Sequence, residues 1–206
     1  MKNKWRVGCF YTKDTPYEQV FKDFLEPSLI KHNLRKETLV TVIQNEGSWM
    51  KNVANKPRLV VEMLNQCDEG ECLVILDADA TIEKYPLLFD TIQGYCEIAF
   101  HTLSWRQWYG YDSDTTELLS GTMFFRNTSA IKKLCKEWFD YARTKNVWEQ
   151  KALEAILGDH YEFCTYKLPI EYCYMKSRPG GLEPLVKCDP VILHHQASRE
   201  LKRVIK

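Results

Sequence analysis

The feature that most constrains this chain is the order of its first 76 residues. Short apolar runs alternate there with segments of helical periodicity. WRVGCFY (5–11), TLVTVI (38–43) and CLVIL (72–76) read as buried strands. Between the first two, Thr15, Pro16 and Glu18 open a helix to about Lys31, with Val20, Phe21, Phe24 and Leu25 at helical spacing. Between the second and third, PRLVVEMLNQC (57–67) reads as a helix with Pro57 in its first turn. A strand such as CLVIL, apolar on both parities, has to be covered on both faces. Strands linked by helices give parallel neighbours, so the expectation is an α/β domain with a mostly parallel central sheet covered by helices.

The rest of the chain is less regular. A helix is predicted from Pro86 to about Gln93, and strands over 96–100 and 117–126. Helices follow over 129–144, with Ile131, Leu134, Cys135, Trp138 and Phe139 inward, and over 148–157. A Pro-Gly-Gly turn falls at 179–181, PVILHH (190–195) reads as a last strand, and 198–206 as a basic helix or frayed end. Residues 103–116, LSWRQWYGYDSDTT, keep no period and read as a long surface loop, a common place for function. The 206 residues suffice for one domain with its own core.

Composition narrows the function classes. Lysine plus arginine equal aspartate plus glutamate at 28 each, which argues against a surface that grips nucleic acid throughout. Eight cysteines form no C-x-x-C pair and no zinc spacing, and Cys9, Cys72 and Cys164 lie in apolar stretches. Reduced, buried thiols in a cytoplasmic protein are expected. No apolar run of 18 residues occurs, and MKNKWRVGCFYTK has no apolar leader core, so neither membrane insertion nor secretion is expected.

Asp77-Ala78-Asp79 directly follows CLVIL. In open α/β sheets ligands sit beyond the carboxyl ends of strands, so both carboxylates would face that crevice. Two close carboxylates repel, and a hard divalent cation such as Mg²⁺ or Mn²⁺ resolves the repulsion while bridging to substrate phosphates. A turn capped by either aspartate is the plain structural alternative. A second alternative is D-x-D-x-T, since Ala80-Thr81 follows, as in haloacid-dehalogenase-type phosphatases with Asp77 as nucleophile and Asp79 as acid/base. About 70 residues precede this loop, where that family has its first strand, and Gly158-Asp159 is the nearest later acidic candidate.

In order, the motifs resemble those of the GT-A type nucleotide-diphospho-sugar glycosyltransferases over about residues 5–200. A strand ends at Tyr11-Thr12. Gly47-Ser48-Trp49, Asn52, Asn55, Lys56 and Pro57 resemble the W-x-x-N…K-P stretch along the nucleotide. LVILDAD matches the metal-binding D-x-D. Leu119-Ser120-Gly121-Thr122-Met123-Phe124-Phe125-Arg126-Asn127 resembles the strand beside the sugar, Trp148-Glu149-Gln150 stands where Asp-Gln is common, and Val191-Ile192-Leu193-His194-His195 resembles the strand that delivers a metal histidine.

The resemblance implies one GT-A (Rossmann-like) domain over 1–206. About 1–101 would bind nucleotide, and about 102–206 would form a less regular half for sugar and acceptor. It implies a nucleotide-diphospho-sugar donor, UDP by default, with Mn²⁺ or Mg²⁺ held by Asp77, Asp79 and one histidine. His195 is expected there, because adjacent strand residues face opposite ways and it lies nearer the strand's carboxyl end. Tyr11, Thr12, Trp49, Asn52, Asn55, Lys56, Asp77, Ser120 and Gly121 are the implied nucleotide-sugar contacts. Arg199 or Lys202 would supply a phosphate contact in place of the glycine and lysine that HHQASR lacks. Glu149, in place of the usual aspartate, and Gln150 are the candidate catalytic pair.

The acceptor stays open between a saccharide or other hydroxyl compound and hydroxymethylated bases of DNA. The DNA reading would use Trp105, Trp108, Tyr109 and Tyr111 for stacking, with Arg199, Lys202, Arg203 and Lys206 on phosphates. A non-catalytic nucleotide-sugar binding protein is the remaining alternative.

Overall fold

A computed structural model describes residues 5–158, 163–203 and 205. Six strands form the main sheet in the order β2-β1-β3-β6-β5-β7. They are β1 (Trp5–Thr12), β2 (Leu39–Ile43), β3 (Cys72–Leu76), β5 (Ile98–Ser104), β6 (Thr116–Arg126) and β7 (Thr165–Lys167). β1 pairs in parallel with β2 and β3, and β5 with β7, while β6 runs antiparallel to both β3 and β5. A second sheet, β4-β9-β8, joins β4 (Ala80–Ile82), β9 (Ile192–His194) and β8 (Tyr174–Met175).

β3 explains the two-sided covering. Cys72, Val74 and Leu76 pack into one core with Trp5, Phe21, Leu25 and Phe89. Leu73 and Ile75, on the other parity, pack with Met63, Leu134 and Trp138. Each Val, Leu or Ile buried in this way contributes about 1.5–3 kcal/mol. The helices are α1 (17–31), α2 (Trp49–Val53), α3 (Lys56–Leu64), α4 (Leu87–Ile92), α5 (Trp105–Tyr109), α6 (Ser129–Lys145) and α7 (Glu149–Leu157). α1 and α4 cover the first face, α3, α6 and α7 the second, and α5 packs in a third cluster with Leu119 and Tyr174. α1 contains one wide π-type turn over Phe21–Leu25. Thr128 caps α6 by accepting the Ile131 N–H, and Asn146 ends it in the left-handed region.

The expected loop over 103–116 is only partly a loop. β5 continues to Ser104, whose hydroxyl accepts the Gln107 N–H and starts α5, and Gly110 at φ 77° ends it. Trp108 is buried, and Trp105, Tyr109 and Tyr111 pack on one another. These rings serve the loop's own packing before any stacking on a base. The last strand is shorter than expected, and the tail forms α8 (Ser198–Leu201). Most cysteines are buried or half-buried thiols, but Cys164 is exposed, because the chain near it lies on the sheet edge by β7. No helix among the described residues is long and apolar enough to cross a membrane.

Candidate functional site

β3 delivers Asp77 and Asp79 just past its carboxyl end, where the turn is closed by the Ala80 N–H on Asp77 O. Asp77 N–H donates to Gly121 O, so the D-x-D turn is hydrogen-bonded to β6. β9 lies across β4 with His194 opposite Ala80, and this register sets the imidazole beside the two aspartates. One ligand atom each from Asp77, Asp79 and His194 lies within 4.8 Å of the others.

His194, not His195, closes this cluster. His194 is 2 % exposed, with Nδ1 3.6 Å from Asp79 Oδ1 and Nε2 2.8 Å from Thr122 Oγ1. His195 points the other way: its Nε2 bonds Thr81 Oγ1 at 3.0 Å and its ring stacks on Phe24. The structure thus brings His194, not the expected His195, to the two aspartates, because the pairing of His194 with Ala80 across β4 turns it toward them.

Gly121 has a specific task. A Cβ there would lie 2.8 Å from His194 Cε1 and 3.0 Å from Nδ1. Its missing side chain makes room for the imidazole, not primarily for a sugar.

The donor set fits a divalent cation. Two carboxylates and one imidazole suit Mn²⁺ or Mg²⁺, and the nitrogen favours the softer of the two. With Nε2 against the Thr122 hydroxyl, an imidazole that gives up its Nδ1 proton would present that nitrogen's lone pair toward the aspartates. Burial acts to lower the His194 pKa, but Cys173 and Asp79 beside it outweigh that and hold it at about 10 without a cation. Desolvation and the charge of Asp79 push Asp77 above the usual carboxylate range against the pull of Lys56. Asp79 is held low despite burial, by His194 and by the Ala197 N–H that donates to its Oδ2 at 2.7 Å.

Lys56, at the start of α3, is 2 % exposed. Its ammonium donates to Asp77 Oδ1 at 2.7 Å and Ser120 O at 3.0 Å, and sits 3.3 Å from Glu149 Oε1. Burial works against its charge, but Asp77 and Glu149 more than restore it, and its pKa is raised. Glu149, in the first turn of α7, is buried. Ser120 Oγ donates to its Oε1 at 2.9 Å, while Oε2 has no partner among the described residues. The backbone carbonyl of Glu149 is fixed by Trp138 Nε1 at 2.6 Å. Gln150 Oε1 accepts the Ser120 N–H at 3.3 Å, which leaves its amide NH₂ for the cavity.

Two adjoining cavities share Trp49, Asp77, Asp79, Glu149 and Ser198. The smaller, about 90 Å³, is bounded by the end of β1 at Tyr11 and Thr12, and by Tyr17, Asn52, Lys56 and Ile205. The larger, about 430 Å³, reaches Ser120, Gly121, Trp148, Gln150, Met175, Tyr109 and Glu117, with Arg199 and Lys202 on its rim. That volume suits a small molecule.

The sequence-derived residues thus divide. Tyr11, Thr12, Trp49, Asp77, Asp79, Ser120, Gly121, Glu149, Gln150, Arg199 and Lys202 line the cavities. Lys202 Nζ lies 5.8 Å over the Trp49 ring, and Arg199 donates to Ser177 O at 2.7 Å. Asn52 reaches the smaller cavity, but its amide holds Asn45 and the Glu46 N–H. Asn55 lines neither: it bonds Glu46 and Arg143 and anchors α3 to α6. Lys56 bounds the smaller cavity, but its ammonium is occupied by hydrogen bonds to Asp77 and Ser120 and by the ion pair with Glu149.

Tyr109, expected to stack on a sugar or a base, and Trp148 of the Trp148-Glu149-Gln150 motif line the larger cavity, whereas Thr122, Tyr17 and Glu117 were not expected at the site. No alternation marks Thr122, because β6 is irregular here, its register against β5 shifting between Phe100 and His101. Asp159 and Lys206 lie outside the described residues.

A three-layer α/β arrangement with a D-x-D pair and a histidine beyond the central strand defines the class of GT-A type glycosyltransferases. The comparisons bear on this directly. Among solved structures, a glycosyltransferase involved in the glycosylation of the major capsid of PBCV-1 superposes with a TM-score of 0.58 at 11% identity, covering 97% of this chain and 98% of that one. Mouse xyloside xylosyltransferase 1, in its apo form, gives 0.56 at 11% identity over 94% and 98%. The bifunctional glycosyltransferase WbbM gives 0.54 at 13% identity over 95% of this chain and 46% of that one. At such identities the likeness concerns the fold. A search of curated proteins found no match. The sequence matches the nucleotide-diphospho-sugar transferase family over residues 12–203, and the chain belongs to that family.

Proposed function

We propose that this protein transfers a sugar from a nucleotide-diphospho-sugar, with UDP the favoured nucleotide, to a hydroxyl of a saccharide or other small acceptor. The observation that carries the reading is the Asp77, Asp79, His194 cluster where the two cavities meet. The working unit is the whole chain. Residues about 1–101 grip the nucleotide and about 102–206 hold the sugar and acceptor, and the cluster draws on both halves.

Asp77, Asp79 and His194 would hold Mn²⁺ or Mg²⁺, which supplies Lewis-acid neutralisation of the departing diphosphate. Tyr11, Thr12 and Trp49 flank the nucleotide in the smaller cavity. Arg199 and Lys202, on the rim, offer charge-assisted hydrogen bonds to phosphate oxygens. The Gln150 NH₂ and the wall near Gly121 orient the sugar. Glu149 is the carboxylate of the reaction. In an inverting reaction it takes the proton from the acceptor hydroxyl, and in a retaining one it stabilises positive charge at the anomeric carbon. Trp148, 38% exposed beside it, offers an aromatic face to an acceptor sugar ring.

Modified DNA gains no support as acceptor, since Arg199 and Lys202 turn to the cavity and the aromatic segment packs on itself. The family match replaces the phosphatase alternative. The eight free thiols suit a reducing compartment such as the cytoplasm.

The test is a thermal-shift screen of UDP-, GDP-, ADP- and CMP-sugars, each with and without Mn²⁺. A rise in Tm that needs both one donor and the cation supports the reading. No rise with any donor overturns it. Slow hydrolysis of the identified donor without acceptor separates an enzyme from a binding protein, and the anomer formed decides the role of Glu149.

A further inference from the structure

Lys56 stands where a lysine would be expected to grip the nucleotide, yet its ammonium is already engaged by two hydrogen bonds and an ion pair within the protein. An ammonium carries three donors. Asp77 Oδ1, Ser120 O and Glu149 Oε1 surround this one at 2.7, 3.0 and 3.3 Å, and the side chain is 3% exposed. We propose that Lys56 is a positioning residue: a buried tie that fixes the cation-side carboxylate Asp77 and the cavity carboxylate Glu149 in one register. It makes no contact with the donor phosphates. This rests on the function proposed above.

The surroundings are built for that task. Lys56 is set at the start of α3 by Asn55, whose side chain is clamped by Glu46 and by Arg143 of α6. Glu149 is set from the other side by the Trp138 bond to its backbone and by Ser120 Oγ on Oε1. The Ser120 hydrogen bond and the Lys56 ion pair both fall on Oε1, and Oε2, buried and without a partner among the described residues, is left for a reacting group. A buried polar atom without a partner calls for an explanation, and a substrate contact made only in the loaded site is one.

The charges agree. Asp77, Asp79 and Glu149 against Lys56 leave a formal charge of 1 − 3 = −2, which a divalent cation cancels when His194 is neutral. Taking Lys56 away to a phosphate would leave Glu149 buried without its cation.

The experiment compares Lys56→Met and Lys56→Arg with the native protein, using UDP with Mn²⁺ as the binding probe and steady-state transfer or donor hydrolysis as the rate. A positioning role predicts that Lys56→Met at saturating Mn²⁺ binds UDP within about threefold of native, needs more Mn²⁺ because Asp77 loses its tie, and loses kcat 100-fold or more. Lys56→Arg does not restore kcat, because a planar fork cannot replace a three-point ammonium contact. Adding Glu149→Gln to Lys56→Met should raise Tm again, since a neutral amide needs no buried cation.

A loss of UDP affinity of tenfold or more in Lys56→Met, with kcat kept, would show a phosphate contact and overturn the proposal. A Tm not raised by Glu149→Gln would overturn the tie. Should Lys56→Met fail to fold, Ser120→Ala serves. It removes the hydrogen bond on Oε1 and a 3.5 Å contact to Gln150 Oε1, so kcat should drop tenfold or more with UDP binding kept, and an unchanged kcat would count against the proposal. If native protein shows no UDP and Mn²⁺ shift at all, the function reading fails, not this one.

Discussion

Substituting Gly121 by alanine tests whether His194 holds the cation. The added Cβ would sit 2.8 Å from His194 Cε1, 3.0 Å from Nδ1 and 3.3 Å from Nε2. Ordinary contact begins at 3.4 Å, so the ring must retreat by about 0.6 Å. It has no free direction, because Thr122 Oγ1 holds Nε2 at 2.8 Å and Asp79 lies beyond Nδ1. Overpacking of this kind costs roughly 1–3 kcal/mol, and for a chain of this length Tm falls by roughly 2–12 °C. The functional effect is separate. Ligand positions tolerate shifts of about 0.2 Å, so the displaced nitrogen should weaken the cation about 10–100-fold. The assay is the Mn²⁺ concentration giving half the UDP-dependent rise in Tm, read for native protein, Gly121→Ala and Thr122→Val. Both variants should move that midpoint upward, Thr122→Val with the smaller loss of stability. An unchanged midpoint in Gly121→Ala, with Tm lowered, would refute the placement of His194 at the cation.

The two histidines should separate cleanly. His194→Ala should abolish the Mn²⁺-dependent shift, whereas His195→Ala, which loses the Thr81 bond and the Phe24 stack, should lose about 1–2 kcal/mol of stability and keep the shift, read by thermal melts with and without Mn²⁺. Asp79→Ala should bring cation-dependent turnover below detection with the far-ultraviolet circular dichroism preserved; turnover surviving in a folded variant would refute the cation site. Acid stability should have a part assignable to Glu46, whose pKa the Arg143 guanidinium holds at about 2. A lowered folded pKa stabilises the protein above the usual carboxylate value of 4.5, and the contribution is lost as pH falls toward about 2. Both side chains are about a third exposed, so Arg143→Ala should cost no more than about 1 kcal/mol at pH 7 and flatten the stability curve below pH 4.5.

What could be read from the residues depended on whether a pattern had one physical solution. CLVIL is apolar on both parities, so it had to lie inside a sheet covered twice, and Asp77 and Asp79 then had to leave at its carboxyl end. VILHH offers no such constraint. Its apolar residues occupy both parities, so alternation cannot say which histidine faces inward, and the answer came only from the pairing of His194 with Ala80 across β4. Lys56 shows the same limit from the charge side. Its place before Pro57 suits a solvated or a phosphate-binding lysine equally well. Only the packing of α3 against the sheet brings Asp77, Ser120 and Glu149, residues 21 to 93 positions away in the chain, around one ammonium. A motif in sequence thus located the carboxylates, but what neutralises them was decided by long-range contacts. The division of labour follows from that: Lys56 supplies the counter-charge to Asp77 and Glu149, while Asp79 faces His194 in the proposed cation cluster.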